Sequence, residues 1–243
     1  MKDLTYVRYE VLRTIRNRRF LIFSLVFPLI LFFAIASAHR HVVVAGITFP
    51  LYYMTGMAAW GSMTAVISSG ARIAQERQVG WTRQLRITPL KTSTYFAAKV
   101  LTGYMMALFS IVVLALAGTL LGVRLGVVGW LTMLGLLLVG LIPFAVMGIM
   151  LGHLISVDSL GPAIGGITSL FALLGGVFGP LVTSGVLFTI VKGLPSYWLV
   201  QAGKSALEGG HVWTGEAWIV IAVWTLVMSR LGVRVYRRDT ARV

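Results

Sequence analysis

Residues 100–154 read VLTGYMMALFSIVVLALAGTLLGVRLGVVGWLTMLGLLLVGLIPFAVMGIMLGHL, and Arg124 is the single Lys, Arg, Asp or Glu in that stretch. A helix needs about 20 consecutive apolar residues to cross the hydrocarbon core of a bilayer, which is about 30 Å thick. The stretch is therefore long enough for two crossings, Val100–Val123 and Trp130–Leu154, hinged at one arginine. Working towards the N-terminus, two further uncharged runs appear, Phe49–Ala71 and Phe20–Ala38. Towards the C-terminus lie Ala163–Val191 and Ala217–Ser229, the last continuing past Arg230 to about Val233. The reading is an all-α membrane protein of six transmembrane helices, forming a single transmembrane domain over residues 1–243.

Composition agrees. Hydrophobic residues make up 58% of the 243, charged residues 12%, and mean hydropathy is +0.88, values that a soluble domain's surface does not tolerate. The formal charge of +14 would suggest nucleic acid in a polar chain. Here the bases cluster between the spans. Residues 1–19 hold six Lys and Arg, residues 72–99 hold six and the tail beyond residue 229 holds five, whereas Arg40, Arg124, Lys192 and Lys204 lie on the other side. Because Lys and Arg are retained in the cytoplasm, both termini are expected inside, in a multi-pass protein of the plasma (inner) membrane, with no nucleic-acid partner. The start has the features of a signal peptide, with bases, an apolar run and Ala36-Ser37-Ala38. Its apolar run exceeds the usual 7–15 residues, roughly, so the first span is expected to be retained.

Chemistry is scarce. There is no cysteine, which excludes thiolate nucleophiles, disulfides and Cys-ligated metal centres. His39 and His41 lack an acid or thiol to complete a metal shell, so no metal is expected. His153 and Asp158 near the fourth and fifth spans could form a proton relay; the simpler reading is an interfacial histidine and a helix cap at Asp158 or Ser159. Gly203-Lys204-Ser205 imitates the end of a phosphate-binding loop, but the required glycine five residues earlier is Trp198. No ATP site is expected on this chain, and no catalytic residue.

Two stretches have internal organisation. Leu4, Val7, Val11 and Ile15 recur at helical spacing among bases, so residues 1–19 read as an amphipathic helix on the inner leaflet or as a basic flank of the first span. The fifth apolar stretch, 29 residues, would extend about 44 Å as one helix and contains Gly175-Gly176-Val177-Phe178-Gly179-Pro180. Clustered Gly and Pro favour a break. The expectation is a crossing over Ala163–Phe178, a re-entrant segment over Leu181–Val191, and a short outer helix from Pro195 with Ser196 as N-cap. Together these form an external hairpin over residues 180–210.

The loop Ala71–Lys99, ARIAQERQVGWTRQLRITPLKTSTYFAAK, is too long and too patterned for a turn. Trp81 and Leu85 supply an apolar face on a basic background, suited to a groove on a soluble partner or to anionic lipid headgroups. The run ERQVGWTRQLRITPL, Glu76–Leu90, followed by Tyr95 and Lys99, resembles the signature of ABC-2 type transporter permeases. Membrane subunits of bacterial drug and antibiotic exporters of the daunorubicin-resistance type are the closest look-alikes, and the similarity extends over essentially the whole chain. That resemblance implies a type V exporter-like arrangement in which residues 72–99 form a cytoplasmic coupling segment seated on a separate ATPase subunit. ATP and Mg would bind on that partner, which carries the Walker motifs, and no cofactor on this chain. A second permease copy or a sibling permease would complete the pathway.

By the same resemblance Glu76, Gly80, Leu85 and Pro89 fall on family positions. Gly80 permits the tight turn and Pro89 ends the helix; Trp81 serves as buried anchor, Arg83 and Arg86 face acids on the ATPase, and Glu76 organises the loop base. Trp81 and Arg83 depart from the commonest family pattern, which bears on which ATPase is the partner. The implied function is ATP-driven export of a hydrophobic or amphipathic drug-like or antibiotic compound by alternating access, with lipid or polysaccharide export as the alternative. Tyr52, Tyr53, Met54, Met57, Trp60, Phe171 and Phe178 are the candidate pathway residues, although for any single one helix packing or lipid exposure is the readier explanation. Readings of another class are an ion-coupled carrier, disfavoured because these spans hold almost no ionisable residue, and a membrane scaffold or immunity subunit.

Overall fold

The computed structural model describes residues 2–17, 22–44, 46–81, 84, 87, 91–179, 184–207 and 212–240. The regular structure within them is helical apart from one two-residue antiparallel ladder, β1 (Val43–Val44) on β2 (Ile47–Thr48). The helices in chain order are α1 (Lys2–Ile15), a π-helical turn (Ile22–Val26) leading into α2 (Phe27–Ala36), α3 (Phe49–Ala71), α4 (Ile73–Gln78), α5 (Thr92–Leu120), α6 (Val127–Gly140), α7 (Ile142–Leu154), α8 (Val157–Gly175), α9 (Gly185–Lys192), α10 (Pro195–Leu207) and α11 (Gly215–Thr240).

Among the described residues four helical units are long and apolar enough to cross a membrane: α5, the joined α6 and α7 over Val127–Leu154, α8, and α11 from Gly215 to Arg238. Pro143 sits in the first turn of α7, where its missing N–H costs least, and Leu141 between α6 and α7 keeps right-handed helical dihedrals, so the two run on as one unit. α3 reaches about 35 Å at 1.5 Å per residue, long enough to cross, but Thr55, Ser62, Thr64, Ser68 and Ser69 make it less apolar. Those hydroxyls are consistent with its position, for α3 is the buried centre of the bundle, contacted by α2, α5, α7, α8 and α10. The apolar helix of the first span is short in the described residues, Ser24–Ala36.

Central packing depends on glycine. A Cβ on Gly148 would lie 2.5 Å from the Ile67 carbonyl oxygen, one on Gly152 2.7 Å from the Gly70 carbonyl oxygen, and one on Gly70 2.5 Å from the Ile149 nitrogen. The α3 and α7 backbones thus meet directly, as small residues four apart allow in membrane helices.

The break in the fifth stretch is present. α8 ends at Gly175, Gly176 takes a left-handed conformation (φ +82°), and the Tyr52 hydroxyl on α3 donates to the Gly176 carbonyl. The left-handed C-cap is where glycine avoids the Cβ penalty. Three expectations are corrected. The fifth helix begins at Val157, not Ala163, because Asp158 is accommodated in its first turn; Asp158 and Ser159 are therefore inside the helix and do not cap it. Ser196 is no N-cap: it lies within α10, and its buried Oγ has no hydrogen-bond partner among the described residues. Trp198, Leu199, Val200, Ala202 and Gly203 of α10 are buried, and the helix packs on α3, α6 and α8. Glu208 and Pro180–Thr183 lie outside the described residues.

Candidate functional site

Three helices each contribute a pair of residues one turn apart, and the pairs converge at the end of the bundle where α3 stops and α5 begins. Side chains at i and i+4 share a helix face. On α1 the pair is Glu10 and Thr14; at the α3–α4 junction it is Arg72 and Glu76; on α5 it is Tyr95 and Lys99. All six are buried, Lys99 completely.

The ammonium of Lys99 is 2.6 Å from Glu10 Oε1 and 2.5 Å from Glu76 Oε1. Tyr95 donates its hydroxyl to Glu76 Oε2 at 2.6 Å, and Lys99 Nζ stands 5.4 Å from the centre of the Tyr95 ring. Arg13, half exposed on the edge of α1, reaches Glu76 Oε1 at 2.8 Å. Arg72 donates to the Thr14 hydroxyl at 2.5 Å, while Thr14 donates to the Glu10 carbonyl at 2.9 Å. Charges this deep survive only when paired and hydrogen-bonded, and here both carboxylates are. Burial, then the Glu10 and Glu76 carboxylates, raises the Tyr6 phenol well above its ordinary range, so it stays neutral. Burial also lowers the Arg72 guanidinium, opposed by Glu10.

α4 is held on another side too. Arg77 donates to the carbonyls of Gly152 (3.3 Å) and His153 (2.9 Å), the last turn of α7, where a cation meets unpaired carbonyls and the negative end of the helix dipole. The His153 ring packs edge-on against Tyr236 of α11 and Phe96 of α5. A six-residue helix is thereby tied by side chains to α1, α5 and α7, and through His153 to α11. The cluster can transmit a displacement of α4 to several long helices; it contains no arrangement for bond chemistry.

On α1, Glu10 and Thr14 are buried, while Val7 and Val11 are half-buried; the side chains of Leu4 and Ile15 lie outside the described set. Of the coupling residues, Glu76 is at the centre of the cluster, Gly80 has φ +72° just beyond α4, and Trp81 follows with its side chain partly exposed. Arg83, Leu85, Arg86 and Pro89 lie outside the described residues. The roles of Glu10, Thr14 and Lys99 were not predicted, since their pairings join positions as far as 89 apart in sequence. The available signal was the rarity of acids, seven in 243 residues, and the placing of Glu10 one turn from Thr14.

The pathway candidates divide by position. Tyr53, Met54 and Met57 are buried in the core of α3, and Tyr52 is buried and tied to Gly176. Trp60 stands between two partly exposed rings, Phe27 on α2 and Phe178 after α8, each 5.6 Å away and edge-on. Phe171 packs edge-on against Phe144 and Trp224.

The described residues form a helical bundle with four helical units long and apolar enough to cross a membrane and a buried polar cluster at one end. Residues 44–234 match the sequence profile described as ABC-2 family transporter protein, and the chain belongs to that family. It is 27% identical over 223 residues to a Bacillus subtilis (strain 168) protein named "Putative transport permease YvfS", covering 90% of this chain and 91% of that one. The chain is thus a multi-pass membrane permease of the ABC-2 type.

Proposed function

We propose that the chain is the membrane half of an ATP-driven exporter in the plasma (inner) membrane, with six spans, both termini in the cytoplasm and residues 72–99 as the coupling segment. The supporting observation is the buried cluster that binds α4 to α1, α5 and α7. A segment that only adhered to lipid headgroups would not need a fully buried lysine shared by two carboxylates. A separate ABC ATPase with Walker motifs, binding ATP and Mg, would press on the segment through Trp81, with Arg83, Leu85, Arg86 and Pro89 completing the contact. Glu76 would carry the displacement into the bundle. A second copy or a sibling permease would complete the pathway.

The cargo on this reading is a hydrophobic or amphipathic compound of drug or antibiotic type, moved outward by alternating access: differential stability of two packings of the bundle, driven by the ATPase. Trp60, Phe178 and Phe171 are the candidate contacts for its apolar parts, with Tyr52, Tyr53, Met54 and Met57 behind them. Purification from the native membrane in mild detergent, followed by mass spectrometry, tests the reading. An ATPase with a phosphate-binding loop at one copy per permease is expected. Recovery of the chain without any ATPase, together with cargo flux indifferent to ATP, would overturn it.

A further inference from the structure

α11 presents one continuous outward face whose chemistry changes abruptly along its length. At 100° per residue, Ile219, Val223, Leu226 and Val227 fall within a stripe about 120° wide, and all four are exposed. Arg230, Arg234, Arg237 and Arg238 continue the same stripe and are exposed as well. Apolar side chains left uncovered on a membrane-crossing helix face lipid tails. The arginines that follow on that face therefore enter the headgroup layer of the same leaflet, spread over about 12 Å at 1.5 Å per residue.

We propose that this stripe binds the phosphate groups of anionic phospholipids in the cytoplasmic leaflet, a reading that rests on the cytoplasmic placement of the C-terminus proposed above. Every base in it is arginine, whose planar guanidinium pairs two N–H groups with phosphate oxygens, which the lysine ammonium does not. Continuity with the lipid-facing surface favours a lipid over a soluble protein as occupant. The other side of the same turns carries Tyr236, against His153 of α7 and Phe96 of α5. A bound headgroup would thus hold the end of α11 against the helix whose last carbonyls receive Arg77, and so steady the coupling cluster.

The test uses the full-length chain, purified and then exposed to phosphatidylglycerol or phosphatidylcholine, with retained lipid counted by native mass spectrometry. Wild type is expected to retain phosphatidylglycerol in preference. Each arginine near an anionic surface is worth roughly fivefold in partition, so R234Q/R237Q/R238Q should lower retention of phosphatidylglycerol at least about tenfold. R234K/R237K/R238K, which keeps the charge that orients the helix, should retain an intermediate amount, and its thermal unfolding in phosphatidylcholine should match wild type. Equal retention of both lipids by wild type, or unchanged phosphatidylglycerol retention in the glutamine variant, overturns the inference. Loss of ATPase co-purification with lipid retention unchanged also overturns it and makes the stripe a protein contact. A C-terminal reporter separates the two readings. An external C-terminus refutes the topology and this inference with it, whereas an internal one with failed lipid retention refutes this inference alone.

Discussion

Replacing Lys99 with Met tests whether the buried cluster holds the bundle together. Methionine preserves most of the volume and removes only the charge, leaving two carboxylates to be satisfied. Glu76 keeps Arg13 at 2.8 Å and the Tyr95 hydroxyl at 2.6 Å. Glu10 loses the cation 2.6 Å away. Breaking a buried ion pair from one side costs about 3–5 kcal/mol; because Glu76 retains partners, the cost should come mainly from Glu10. K99M is therefore expected to lose about 3 kcal/mol or more, read as a shift in the midpoint of denaturant unfolding in detergent. The triple variant K99M/E10Q/E76Q removes both carboxylate charges along with the lysine and should recover most of that loss, since neutral replacement of a buried pair is often nearly free. Lys99→Arg should not substitute, because the ammonium is fully enclosed and a guanidinium is larger. A K99M midpoint within about 1 kcal/mol of wild type, or a triple variant no more stable than K99M, would refute the reasoning.

Other perturbations address other joints. Gly148→Ala places a Cβ 2.5 Å from the Ile67 carbonyl oxygen, against backbone that cannot rotate away; a loss of about 1–3 kcal/mol is expected from overpacking, with Gly148→Leu worse, measured by the same unfolding titration. Tyr52→Phe removes the hydroxyl that reaches the Gly176 carbonyl and should cost about 1 kcal/mol. Gly176→Ala, at φ +82°, should cost about 1–2 kcal/mol from the left-handed backbone; a thermal melt equal to wild type would deny that this turn is a fixed break. Trp81→Ala should leave membrane insertion intact while lowering transport and cargo-stimulated ATP hydrolysis. If Trp81 anchors the partner, loss of about 2 kcal/mol weakens ATPase affinity roughly 30-fold in a binding titration, and undiminished transport would remove it from that role.

What could be read in the sequence and what could not divide along one physical line. Apolar run length, glycine clusters and the Gly–Pro break are local, and the helices over Phe49–Ala71 and Val127–Leu154 follow from them within a few residues, whereas α5 starts at Thr92, well before the expected Val100. The start of α8 at Val157 instead of Ala163 arose from treating one acid as the end of a span when a first helical turn accommodates an acid well. Pairing in space is non-local, and it decided the site. Lys99 was legible as part of the loop's basic charge, yet it is fully buried, because the acids that accept it come from positions 10 and 76. The same cause explains α1. Its apolar spacing says nothing of Glu10 and Thr14, whose burial is favourable only because Lys99 and Arg72 stand on the other side. A single charge on one of these helices would be a cost that hydrophobic burial nearby does not offset. Each of the three helices therefore supplies a charge whose burial the other two make favourable.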